Sequence, residues 1–170
     1  MRSLVSSPSL SLAFALVAGL GCSAASEGQT PTDAGTTPDV APSFCESDPR
    51  ALTFTPGLAQ KGKSGLLEAK LLTIEPLRVS KGDNAWKLQL LDAAGKPVDG
   101  ATLTLKPFMP DHGHGSAIVP LVTPTGSDGQ YAVTRLNLFM PGLWQITVNA
   151  EVPGSPVVTD AIVFSFCVRE

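Results

Sequence analysis

Four side chains in this sequence could together hold a metal ion: Met109, His112, His114 and Met140. The stretch Phe108-Met109-Pro110-Asp111-His112-Gly113-His114-Gly115 contains both histidines of the chain and one of its three methionines. A second Phe-Met-Pro triplet, Phe139-Met140-Pro141, contains another. Imidazole suits copper and zinc, whereas thioether sulfur is soft and selects Cu(I). Two histidines with two methionines therefore make a copper set, with Cu(I) preferred. Histidines one residue apart project to the same side of an extended backbone, and the glycines beside them keep bulk away. Asp111 could orient an imidazole as an outer carboxylate, or simply serve the turn that Pro110 begins. The competing reading has both Phe-Met-Pro triplets packing apolar side chains over the end of a sandwich, with the histidines in solvent.

The elements that must position these residues read as strands. Segment 66–79 alternates in part and is expected to form one or two strands. Trp86, Leu88 and Leu90 alternate with polar neighbours. Segment 101–109 is the next expected strand, with Leu103 and Leu105 inward, and 117–122 another. Segment 131–138 leads to the Met140-Pro141-Gly142 turn. Trp144, Ile146, Val148 and Ala150 alternate with Gln145, Thr147 and Asn149, and the last strand covers 157–168 with Ile162, Phe164 and Phe166 on one face. No segment carries a helical period. Seven to eight short antiparallel strands at this spacing predict an all-β fold, an immunoglobulin-like β-sandwich. Tyr131 could act as the tyrosine corner of such folds or as an ordinary core aromatic. If the chain meanders, the His112/His114 loop and the Met140 turn lie at the same pole, where sandwich loops carry binding residues.

The sequence ahead of these strands has a different character. Residues 10–20 form an apolar run too short to span a bilayer and suited to the core of an export signal. Gly19-Leu20-Gly21-Cys22 resembles a bacterial lipobox, in which Cys22 is lipidated and becomes the new N-terminus. Gly19 stands where a leucine is usual, so plain secretion with cleavage near Ala24 is the alternative. The expected organisation is a lipoprotein-type signal peptide over 1–21, a disordered tether over 22–43 and a single domain over 44–170. Setting Cys22 aside leaves Cys45 and Cys167 at the two ends of the domain as a natural disulfide pair in an oxidising compartment. The other reading makes one of them a metal ligand.

From about residue 64 to 168 the chain resembles the YtkA-like family of exported bacterial domains, related to FixH-like proteins. The residues that carry the resemblance are Met109-Pro110-Asp111-His112-Gly113-His114-Gly115, Gly129-Gln130-Tyr131 and Met140-Pro141-Gly142-Leu143-Trp144-Gln145-Ile146. It implies a small immunoglobulin-like sandwich, anchored or lipidated, associated with copper handling or cytochrome oxidase assembly. The His/Met arrangement is also similar, with different spacing, to periplasmic copper chaperones of the PCuAC type.

A net charge of -3 argues against nucleic acid, which normally calls for a basic face. Nothing in the sequence resembles a nucleophile elbow, a phosphate loop or a carboxylate pair, so an enzyme is not expected. The expected function is that of an exported, membrane-tethered copper-binding domain, a copper chaperone or copper handler of the cell envelope. It would face the periplasm or the surface from the inner or outer membrane, with another envelope copper protein as a possible partner. The alternative is a surface immunoglobulin-like module that binds a protein through its loops and takes no metal.

Overall fold

The computed structural model describes residues 45–126 and 128–169, so the expected signal peptide, Cys22 and the tether lie outside the described residues. Among the described residues none is helical, and nine strands follow in order. They are β1 (Leu58–Lys61), β2 (Leu67–Glu75), β3 (Gly82–Asp92), β4 (Thr102–Met109), β5 (His114–Gly115), β6 (Leu121–Pro124), β7 (Gln130–Leu138), β8 (Gly142–Val152) and β9 (Val158–Val168). One sheet has the order β1-β2-β3-β7-β6 and the other β5-β4-β8-β9, and every pairing is antiparallel. With β2 as the first strand, these orders are the A-B-E-D and C′-C-F-G sheets of the immunoglobulin sandwich. β1 is an added edge strand.

Period-two patterning explains why these segments are strands. On β4, Leu103, Leu105, Pro107 and Met109 are buried while Thr102, Thr104, Lys106 and Phe108 are exposed. β8 buries Trp144, Ile146, Val148 and Ala150 and leaves Gln145, Thr147 and Asn149 partly accessible on the other face. The two inner faces meet in a core that includes Trp86, Tyr131, Trp144, Phe164 and Phe166, with Trp86 edge-on to both phenylalanines at 6.2 and 5.7 Å.

Tyr131 has a defined role. It stands at the start of β7, the E position rather than F, so it is not the usual tyrosine corner. Its hydroxyl donates to Val98 O and accepts from Ala101 N, both at 3.0 Å, and so pins the β3–β4 connection. Burial pushes its pKa up. Asp160 does comparable work for the loop before β2, accepting from the backbone N–H groups of Ser64, Leu66, Leu67 and Ala161. Burial alone would raise its pKa, but these four bonds outweigh it and the carboxyl lies below its ordinary value.

One strand expectation changes. The segment 117–122 is not one strand: the chain pairs at His114–Gly115, crosses between sheets, and pairs again from Leu121. A turn at Gly113, with φ 72°, brings the chain straight back onto β4 and creates β5. The expectation of one or two strands over 66–79 is met by a single strand, which ends at Glu75, before Pro76.

Cys45 and Cys167 are bridged, with Cα atoms 5.4 Å apart, so neither supplies a thiolate to a metal. Cys167 faces outward on β9, opposite Phe164 and Phe166. The bridge ties the N-terminal end of the described chain to the sandwich pole at which β8 begins, because Cys167 pairs with Leu143.

Candidate metal centre

The site grows out of the end of β4. Met109 is its last residue, fully enclosed on the inner face at 0% exposure. A four-residue turn, Pro110 to Gly113, follows. Met109 O accepts from His112 N at 3.2 Å and from Gly113 N at 2.9 Å, which closes the turn. His114 then stands directly opposite Met109 in the β4–β5 ladder. Residues opposite each other in an antiparallel pair share a face, so His114 lies on the inner side with Met109. The rings of His112 and His114 have centroids 5.7 Å apart. An extended His-x-His is not what brings them close, since Gly113 takes a left-handed conformation between them. The reversal of the turn does.

Gly115 secures this pairing. A Cβ on it would lie 2.5 Å from Pro107 O, inside van der Waals contact with backbone. Gly115→Ala is therefore expected to part β5 from β4 and displace His114. By amide exchange, Gly115→Ala should lose protection in the 108–115 hairpin while β8 and β9 keep theirs. Wild-type protection across the hairpin would contradict this close fit.

The second half comes from the crossing between sheets. β7 ends at Leu138 in one sheet, and β8 begins at Gly142, φ 133°, in the other. The intervening turn carries Phe139 and Met140. Phe139 stacks on His114 with centroids 5.6 Å apart and ring planes 23° apart, and meets Trp144 edge-on at 5.6 Å. Trp144 Nε1 donates to Met140 O at 2.9 Å, fixing the turn from beneath. Met140 is partly buried against the core. The structure thus brings the histidine hairpin and the Met140 turn together at one pole, with His112 exposed, His114 half-buried and Met109 sealed below.

Asp111 differs from expectation. Both its oxygens receive the Arg50 guanidinium, Nη1 at 3.0 Å and Nη2 at 2.9 Å, so its partner is a cation rather than an imidazole. Arg50 and Phe139 are the residues whose place at this pole sequence reasoning missed. For Phe139 the signal was its position beside Met140. Arg50 offered none, being 61 positions from Asp111.

Among the described residues no group of three or more His, Cys, Asp and Glu side chains gathers as a metal cluster. A ligand set built wholly from those four residue types is therefore not available at the hairpin. What the pole offers is two imidazoles with thioether sulfur in the two adjoining segments.

These features define a small immunoglobulin-like sandwich with a histidine- and methionine-bearing pole. The chain belongs to the YtkA-like family, whose model matches residues 62–149. That span contains Met109, His112, His114 and Met140, while Cys45, Arg50 and Cys167 fall outside it. No curated protein matches the chain. Among solved structures, the chain is similar to the crystal structure of a DUF4426 family protein from Pseudomonas aeruginosa PAO1, at 19% identity and a TM-score of 0.42. That match covers 62% of this chain and 94% of the other.

Proposed function

We propose that this domain binds copper at the pole of its sandwich and handles it in the cell envelope, without catalysis. The observation that carries the reading is the union of two segments far apart in sequence. His112 and His114 are 5.7 Å apart, and His114 is stacked on the turn that holds Met140. Imidazole nitrogen and thioether sulfur together favour copper, and the reduced ion above all. Of the two methionines Met140 is partly buried, and Met109, on the same face as His114, is fully enclosed. Anaerobic loading with Cu(I), followed by gel filtration and metal analysis, should give one copper per chain. His112→Ala with His114→Ala should emerge empty, and a wild-type protein that emerges empty would end the proposal.

One observation favours a second reading, a protein-binding module that takes no metal. Phe139 at 45% and Val119 at 75% exposure present apolar surface in the turn against His114 and in the β5–β6 crossing. Under that reading Met109 is core alone, and no substitution at this pole changes metal content.

We place the domain on a membrane through a lipid on Cys22, on the strength of the apolar run and Gly21-Cys22 ahead of a polar stretch. The mature protein should then have a mass that starts at Cys22 and includes the lipid. A mass that starts beyond Cys22 would leave secretion in place of anchoring.

A further inference from the structure

We propose that Arg50 is a positioning residue for the histidine hairpin, and that the Cys45–Cys167 bridge sets its place. The turn between Met109 and His114 is tied to its own hairpin by two backbone bonds to Met109 O. Its tie to the rest of the sandwich at Asp111 comes from Arg50, whose Nη1 and Nη2 meet Oδ1 and Oδ2 in a two-pronged arrangement. Such forks fix direction as well as distance, which a single ammonium cannot do.

The guanidinium is itself held before it reaches Asp111. Its Nε donates to both Asp48 oxygens at 3.0 and 3.2 Å, its Nη2 donates to Asp48 Oδ2 at 2.7 Å, and Arg50 N donates to Asp48 Oδ1 at 2.8 Å. Those hydrogen bonds from Arg50 pull the Asp48 carboxyl down to about 2, so the pair stays charged in any ordinary buffer. One guanidinium between two carboxylates leaves a net negative charge beside the histidines, which suits a cation.

Arg50 in turn lies on a segment that forms no strand, and Leu52 and Phe54 just beyond it pack against the core. The disulfide joins Cys45 to β9, Glu46 pairs with Arg169, and Leu52 N donates to Ser165 O at 2.7 Å. The bridge is the covalent member of this set, five residues before Arg50. A path of contacts thus runs from Cys167 through Cys45, Asp48 and Arg50 to Asp111, the residue next to His112.

The test uses the full, disulfide-intact protein without metal, and its relevance to copper rests on the function proposed above. Amide exchange at His112 and Gly113 is compared in wild type, Arg50→Gln, Asp111→Asn, the two combined, and Arg50→Lys. An exposed ion pair of good geometry predicts that each single change speeds exchange roughly two- to fivefold. The combination should add nothing further, lysine should not restore the wild-type rate, and the Val148 amide should not move. On a Cys45→Ser, Cys167→Ser background, Arg50→Gln should have no further effect on the hairpin. Wild-type hairpin exchange in Arg50→Gln overturns the positioning role, as do additive effects of the two changes. An undiminished Arg50→Gln effect on the unbridged background overturns the part assigned to the disulfide. If the unbridged variant does not fold, the Arg50 and Asp111 arms still decide the positioning role. Because exchange is read without metal, a wild type that takes no copper overturns only the copper reading.

Discussion

Cys45→Ser combined with Cys167→Ser should lower the melting temperature by roughly 10–20 °C. The bridge spans 122 positions and encloses nearly the whole described domain. On the chain-entropy model, closing a loop of that length stabilises by about 4–5 kcal/mol, and natural bridges in small secreted domains contribute about 2–5 kcal/mol. For a domain of this size each kcal/mol moves the midpoint by about 3–5 °C. The sandwich core does not depend on the bridge, since Trp86, Tyr131, Trp144, Phe164 and Phe166 pack between the two sheets. The strands should therefore survive at room temperature, with loosening first at residues 45–52, where Leu52 N to Ser165 O and the Glu46–Arg169 pair remain. Copper binding should persist, weakened only by the few-fold factor that release of Arg50 implies. Thermal melts followed by circular dichroism, without reductant, check this. A fall of less than about 3 °C would mean that the folded contacts of 45–52 already restrict the chain as much as the bridge does.

Much of the fold was legible because burial in a two-layer sandwich imposes alternation. β4, β7, β8 and β9 lie within a few residues of their expected positions; β4 buries every second side chain throughout, and β7 does so on either side of an irregularity at Thr134 and Arg135. The two shortest pieces were not legible. β1 buries no side chain fully and has no apolar alternation to read. β5 is two residues long, and a left-handed Gly113 makes it rather than any pattern. The meeting of the His112/His114 hairpin with the Met140 turn could be argued from strand direction alone, because both follow strands that run to the same pole. The ring of Phe139 on His114 could not, since it depends on the path of a crossing between sheets. Arg50 was invisible for a related reason. It belongs to no strand, and reaches Asp111 from a segment held against the last strand by the disulfide, the Leu52 N to Ser165 O bond and the Glu46–Arg169 pair.

The second large effect is on copper itself. Removing both imidazoles deletes the nitrogen donors, so Cu(II) binding should vanish. Cu(I) should weaken by at least the roughly 10–100-fold that loss of even an outer-shell partner costs at metal sites. Removing both thioethers should act selectively, because only the softer ion depends on sulfur. Met109→Leu with Met140→Leu keeps side-chain volume, and such swaps cost less than about 1.5 kcal/mol each in a packed core. The variant should therefore stay folded despite the full burial of Met109, and a loss of Cu(I) affinity in the folded protein can be assigned to the missing sulfur.

A competition titration against a Cu(I) chelator, run on wild type, the His112/His114 double alanine variant and the Met109/Met140 double leucine variant, tests the central claim most directly. The copper reading predicts tight Cu(I) binding by wild type and a large loss in both variants. Cu(II) binding should be lost in the histidine variant and kept in the methionine variant. Equal Cu(I) affinity in all three proteins would contradict it and leave the pole of this sandwich as packing and protein-binding surface.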